Sequence, residues 1–125
     1  MDAHLENFGI VYDEVQGEAR LAPVYDLVTT TVELPKDSMA LTLNGSTHWP
    51  TVKDLQRLGG THMGGSPARI HAILERIADA ISRVASDVRQ YVKTHPGFAE
   101  IGTLMLDQWQ VGVESSIKGR APGMG

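Results

Sequence analysis

Behind the pair Ser66-Pro67, the chain places Ile70, Ile73, Leu74, Ile77, Ile81, Val84, Val88, Tyr91 and Val92 mostly at steps of three and four residues. Only a helix of about 3.6 residues per turn brings such a set onto one side, so residues 67–94 are expected to form one long amphipathic helix. Ser66 suits its N-cap and Pro67 its first helical position, where a missing N–H costs nothing. Arg89 and Lys93 lie near the far end, where the helix dipole favours cations. His95-Pro96-Gly97 should stop it. A helix this long cannot bury its apolar side alone, so the rest of the chain must supply a covering surface.

The next segment meets that need. Phe98, Ile101, Leu104, Met105, Trp109, Val113 and Ile117 predict a second helix, folding back and running to about Gly119. Upstream, Thr51 is expected to cap a short helix holding Val52, Leu55 and Leu58, with Gly59-Gly60 as its stop. Residues 59–65 then read as a glycine-rich connector.

Residues 1–45 have a different texture. Phe8–Tyr12 and Arg20–Tyr25 are short apolar runs around the polar, Gly-containing connector 13–18, which suggests a hairpin. Pro23 belongs at the end or edge of its strand, having no N–H to donate. Residues 27–32 are rich in β-branched side chains, but Pro35 soon interrupts them. Met39–Leu43 alternates before the turn signal Asn44-Gly45 and reads as one further short strand. No repeat of 20–50 residues is present.

Composition narrows the class. Eleven basic against fifteen acidic residues give a net charge of −4, with 42% hydrophobic residues and no cysteine. A non-specific phosphate-backbone binder would need a basic balance. Absence of cysteine excludes a disulfide framework, a thiolate zinc site and a Cys nucleophile. The longest apolar run is far below the roughly 20 residues needed to span a bilayer, and no basic segment leads an apolar stretch at the start. A cytoplasmic protein is expected, with no direct nucleic-acid or membrane partner. The fold class expected is mainly α (α+β), a short β-hairpin and strand followed by a helical subdomain. The division is 1–45 as a β/loop segment, 46–119 as helices packed on it as one unit, and 120–125 as a loose tail.

Chemistry concentrates at the amino end. Asp2 and Asn7 stand as D-x-x-x-x-N, and Asp26 follows one hairpin later in Tyr25-Asp26-Leu27. Phosphoryl transfer needs such a set. One carboxylate orients the attacking hydroxyl, while a carboxamide oxygen and a second carboxylate hold magnesium against nucleotide phosphates. On spacing alone the plainer reading is favoured: a solvated terminal charge, a turn residue and a cap.

The wider strings add to this. Asp2-x-His4-x-x-Asn7-Phe8-Gly9, followed by Leu21-Ala22-Pro23-Val24-Tyr25-Asp26-Leu27, resembles the C-terminal region of HipA-family serine/threonine protein kinases, toxins of type II toxin–antitoxin pairs. That family carries D-x-H-x-K-N-F and then L-x-P-x-Y-D-L. Met39–Gly45 also resembles the strand after its metal-binding loop, and the helices fit its helical C-terminal lobe in order and length. The resemblance implies that Asp2 is the catalytic Asp and that Asn7 and Asp26 are the magnesium ligands. His4 would support the loop, while Pro23 and Tyr25 would shape the turn that positions Asp26. Mg2+ and ATP are the implied cofactors, and a protein hydroxyl the implied substrate. A DNA-binding antitoxin is an implied partner. Glu6 departs from the pattern, standing where the family often has Lys or Arg.

The other parts of a kinase of this kind, a glycine-rich phosphate loop and a Lys paired with a Glu, are not found in the sequence. Residues 59–65 contain neither G-x-G-x-x-G nor G-K-[ST]. The expectation is a catalytic-lobe fragment, inactive by itself, whose partner is the missing N-terminal lobe or another chain. A fragment, a split enzyme and a free-standing domain are all compatible with it. Uncovered apolar surface would favour self-association, a homo-oligomer included. The competing class is a non-catalytic helical interaction or regulatory module with a vestigial metal site.

Other features read as structural. His4, His48, His62, His71 and His95 show no metal-ligand spacing. Trp109 belongs to the apolar side of its helix, and Trp49-Pro50 suits a staple on Val52 or Leu55. Arg69, Arg76 and Arg83 alternate with Glu75, Asp79 and Asp87, as on a solvated face. Without a G-x-S-x-G elbow, a Ser/His/Asp hydrolase is a poor fit.

Overall fold

The computed structural model describes residues 5–119. The chain is mainly α with a small β element, as expected from the sequence. Two short antiparallel strands, β1 (Ile10–Val11) and β2 (Arg20–Leu21), precede three helices: α1 (Val52–His62), α2 (Pro67–Thr94) and α3 (Ala99–Gly112). Single 3-10 turns occupy Leu5–Asn7, Thr30–Val32 and Pro96–Phe98, and a π-helical turn, Val113–Ile117, continues α3.

Helix α2 has the expected limits because its ends are chemically marked. The Ser66 hydroxyl accepts from the Arg69 N–H at 3.2 Å, and Pro67 opens the first turn. At the other end the chain leaves helical geometry at His95, and the following 3-10 turn folds α3 back onto α2. Tyr91 anchors that corner: its ring stacks on His95 at 3.6 Å and meets the edge of Phe98 at 5.4 Å. Gly102 lets the two helices close, since a Cβ there would lie 2.6 Å from Val92 Cγ2.

Helix α1 begins in a reciprocal cap. The Thr51 hydroxyl accepts from the Asp54 N–H, while the Asp54 carboxylate accepts from the Thr51 N–H at 2.9 Å and from its hydroxyl at 2.8 Å. These bonds, the backbone one foremost, hold the Asp54 carboxyl below its ordinary titration range.

Gly59-Gly60 does not stop α1, which runs on to His62. Packing overrides the weak helix propensity of glycine here. Gly59 is buried where α1 meets α2, and a Cβ on it would lie 2.8 Å from the Ile70 side chain. The turn out of the helix falls on Gly64, at φ 62°, with the Gly65 N–H returning to the Gly59 carbonyl at 2.9 Å.

The strand expected at Met39–Leu43 does not form a ladder. The Asn44-Gly45 turn is present, both residues at positive φ, but only Leu43 and Ser46 bridge across it, with one further bond from the Met39 N–H to the Thr47 carbonyl. Among the described residues no second strand lies alongside to extend the pairing. The hairpin strands are likewise shorter than their apolar runs.

The core is small: among the described residues Ile70, Leu74, Ala85 and Val113 are its buried apolar side chains. Trp109 is half-buried, and its indole N–H donates to the Thr29 hydroxyl at 2.9 Å, tying residues 29–32 to α3. Ser116 donates to the Pro50 carbonyl at 2.6 Å, which returns the end of the chain to the start of α1. Trp49 is 45% exposed and its indole N–H donates to the Asp37 carbonyl. Among the described residues no helix is long and apolar enough to cross a membrane.

Candidate functional site

The 3-10 turn Leu5–Asn7 runs directly into β1. Strand pairing sets Ile10 opposite Leu21 and Val11 opposite Arg20, and the Ala22 N–H donates to the Gly9 carbonyl at 2.8 Å. Gly9 permits that approach, because a Cβ there would lie 3.3 Å from Ala22 Cβ. The far end of the hairpin is closed by a two-pronged ion pair, Arg20 on both Asp13 oxygens at 3.0 and 3.1 Å. Opposite charges at the two feet of the connector were the available sequence signal for this lock.

The near end carries the chemistry. Past β2 the chain reaches Tyr25, whose hydroxyl donates to the main-chain carbonyl of Glu6 at 2.6 Å. Asp26 then adopts φ 54°, the left-handed region that costs a non-glycine residue about 1–2 kcal/mol and that Asp tolerates better than most. There its carboxylate accepts from the Asn7 side-chain amide at 3.3 Å. Two residues nineteen positions apart are thus in contact, joined by a hairpin and a tyrosine latch. Asn7 is half-buried and Asp26 exposed.

The latch has a bearing on position 6. Tyr25 uses the main-chain carbonyl of Glu6, so the contact is independent of which side chain stands there. The acidic substitution alters the charge beside the pair and leaves its scaffold intact.

As placed, the Asn7 amide nitrogen faces the carboxylate. Its carbonyl oxygen is the atom suited to a cation, and a half-turn about the terminal torsion exchanges the two. Two oxygen donors side by side match what magnesium takes from a protein when nucleotide phosphates and water complete its octahedron. They fall short of a self-sufficient cage, and among the described residues no group of three or more His, Asp or Glu could hold a metal. The donor set fits part of a magnesium shell.

Asp2, the expected catalytic residue, and His4 lie outside the described residues, as does the expected tail at 120–125. Three of the described histidines have protein partners. His71 sits on the exposed side of α2, 3.7 Å from Glu75, His48 is bound to the Ser46 hydroxyl, and His95 stacks on Tyr91. Arg69, Arg76 and Arg83 are exposed.

A family model described as HipA-like C-terminal domain matches residues 1–85. The matched span takes in the hairpin, Asn7, Asp26 and α1, and ends inside α2. No curated protein and no solved structure matches the chain.

Proposed function

The chain belongs to the HipA-like C-terminal domain family, and from that premise we propose that it is the catalytic edge of a HipA-like serine/threonine protein kinase. In the complete enzyme Asn7 and Asp26 would hold the magnesium that accompanies ATP. Asp2 orients the hydroxyl of a Ser or Thr on a protein substrate, which attacks the γ-phosphorus as ADP leaves. Magnesium bound there would supply charge stabilisation at the phosphate oxygens. The chain contributes the two donors, the hairpin that aligns them and the carboxylate that takes up the hydroxyl proton. A DNA-binding antitoxin is the regulatory partner that goes with this reading, and the cytoplasm its compartment.

The observation that carries the proposal is the Asn7–Asp26 contact, held by the Tyr25–Glu6 bond. The hairpin would bring its two flanks together in any case, and what supports the reading is that the flanks carry a carboxamide and a carboxylate in direct contact. The 125 residues contain no phosphate-covering glycine loop and no Lys–Glu pair in the required context, so phosphoryl transfer by this chain alone is not expected.

Magnesium titration of the labelled chain, with and without ATP and followed by NMR, tests the site. Expected are shifts confined to Asn7, Asp26 and their neighbours, lost in Asp26→Ala. Unmoved resonances at both residues would dismiss the metal site and leave a helical interaction module as the function, a reading that the small core and wide apolar exposure of the chain favour on their own.

A further inference from the structure

The chain exposes 9640 Å² of surface. A compact monomer of 13.6 kDa exposes about 6,600 Å², leaving an excess of about 3,000 Å². An obligate interface takes about 1,000–2,500 Å² from each partner, and the excess, spread over the whole chain, leaves room for one on α2.

Part of the exposed apolar surface is ordered along α2. Ile73, Ile77, Val84 and Tyr91 are 45%, 46%, 49% and 49% exposed. With Ala80 they step by four, three, four and seven residues, a heptad seam of the kind that packs helix on helix. Ile77, Ala80 and Val84 also form one wall of an open apolar groove of about 710 Å³, whose other wall includes Trp109 and Val113. A ridge and a groove side by side on one molecule are the two halves of a self-complementary contact.

The seam is close to a palindrome about Ser82. Ile73 and Tyr91 lie nine residues to either side of it, and Ala80 and Val84 two residues to either side. Ile77 falls opposite Asp87, so an antiparallel copy meets apolar with apolar at the Ile73–Tyr91 and Ala80–Val84 pairs and leaves Asp87 beside Ile77 at the flank. Charge agrees with this register. Arg76 and Asp87 are eleven residues apart, about three turns, and so share one flank of the helix. Neither has an ion-pair partner among the described residues. In the antiparallel register each Arg76 comes within one residue of the opposite Asp87. Arg83, near the axis, has Asp79 and Asp87 one turn to either side on its own helix, which offsets repulsion from its symmetry mate.

We propose that two copies of this chain pair through α2, antiparallel about Ser82, each roofing the groove of the other. The test is sedimentation equilibrium on the 125-residue chain. Twice the 13.6 kDa chain mass is expected. Val84→Glu should yield a monomer that keeps its helical circular dichroism. If that variant fails to fold, the exposed charges carry the test. Arg76→Glu should weaken the dimer about tenfold or more, and Arg76→Glu with Asp87→Arg should restore it. A wild-type chain still monomeric at about 100 μM, where a micromolar dimer would be saturated, overturns the proposal and assigns the seam to a different chain. A dimer indifferent to both the Val84 and Arg76 substitutions overturns it as well, by placing the contact elsewhere.

Discussion

The Tyr25 hydroxyl meets the Glu6 carbonyl at 2.6 Å, joining the residue just before Asp26 to the residue just before Asn7. Neither Tyr25 nor Glu6 supplies a metal-binding atom in the proposed site, yet their bond fixes how far apart the two donors can stand. Tyr25→Phe keeps the ring and removes the bond. It should weaken magnesium–ATP binding about threefold to tenfold, the size of one ordinary hydrogen bond. NMR titration against the wild type measures it, and thermal unfolding of the helices should be unaffected.

Adjacent glycines in α1 should respond in opposite directions. A Cβ on Gly59 would lie 2.8 Å from Ile70, whereas one on Gly60 would meet nothing within 4 Å. Gly59→Ala should destabilise by about 1–3 kcal/mol through overpacking. Gly60→Ala should stabilise by about 0.5–1 kcal/mol through helix propensity. Denaturant melts of the two variants decide it, and equal responses would refute the packing account of why α1 runs through this pair.

That pair also shows where the sequence could be read and where it could not. Ser66-Pro67 and His95-Pro96 delimit α2 locally, by a hydroxyl cap and by residues unable to continue a helix, so both ends were legible. Gly59 depends on a side chain eleven residues away, and local propensity has no access to that. Met39–Leu43 had the alternation of a strand and the right turn after it, but a strand also needs a neighbour, and none is supplied. The meeting of Asn7 with Asp26 was suggested by family-like strings. Their spacing alone was compatible with two unrelated turn residues. The Asp13–Arg20 lock had opposite charges as its sequence signal, whereas the Tyr25 latch lands on a main-chain carbonyl, which no side-chain pattern can announce.

Trp109 should prove a tether as much as a packing residue. Its indole N–H is bound to Thr29, and it is half-buried beside the α2 groove. Trp109→Phe retains an aromatic ring and loses the bond, at an expected cost of about 1 kcal/mol. Amide exchange should quicken at residues 29–32 more than within α2. Uniform quickening would mean that the indole serves the core generally.

Acid should loosen α1 first. The Asp54 carboxyl titrates below its ordinary range because the Thr51 N–H, and then the Thr51 hydroxyl, bind its charged form. For a carboxyl lowered by folding, the stabilisation is complete above the ordinary pKa and is lost as pH falls through the lowered one. The wild type should therefore lose helicity in α1 only below about pH 4, where ordinary carboxylates take up protons. Asp54→Asn cannot ionise, so it should be less stable than the wild type at neutral pH and draw level with it in acid. Thermal melts of both proteins across that range give the comparison. A gap that stays constant with pH would show that the cap acts through hydrogen-bond geometry alone, without a contribution from charge.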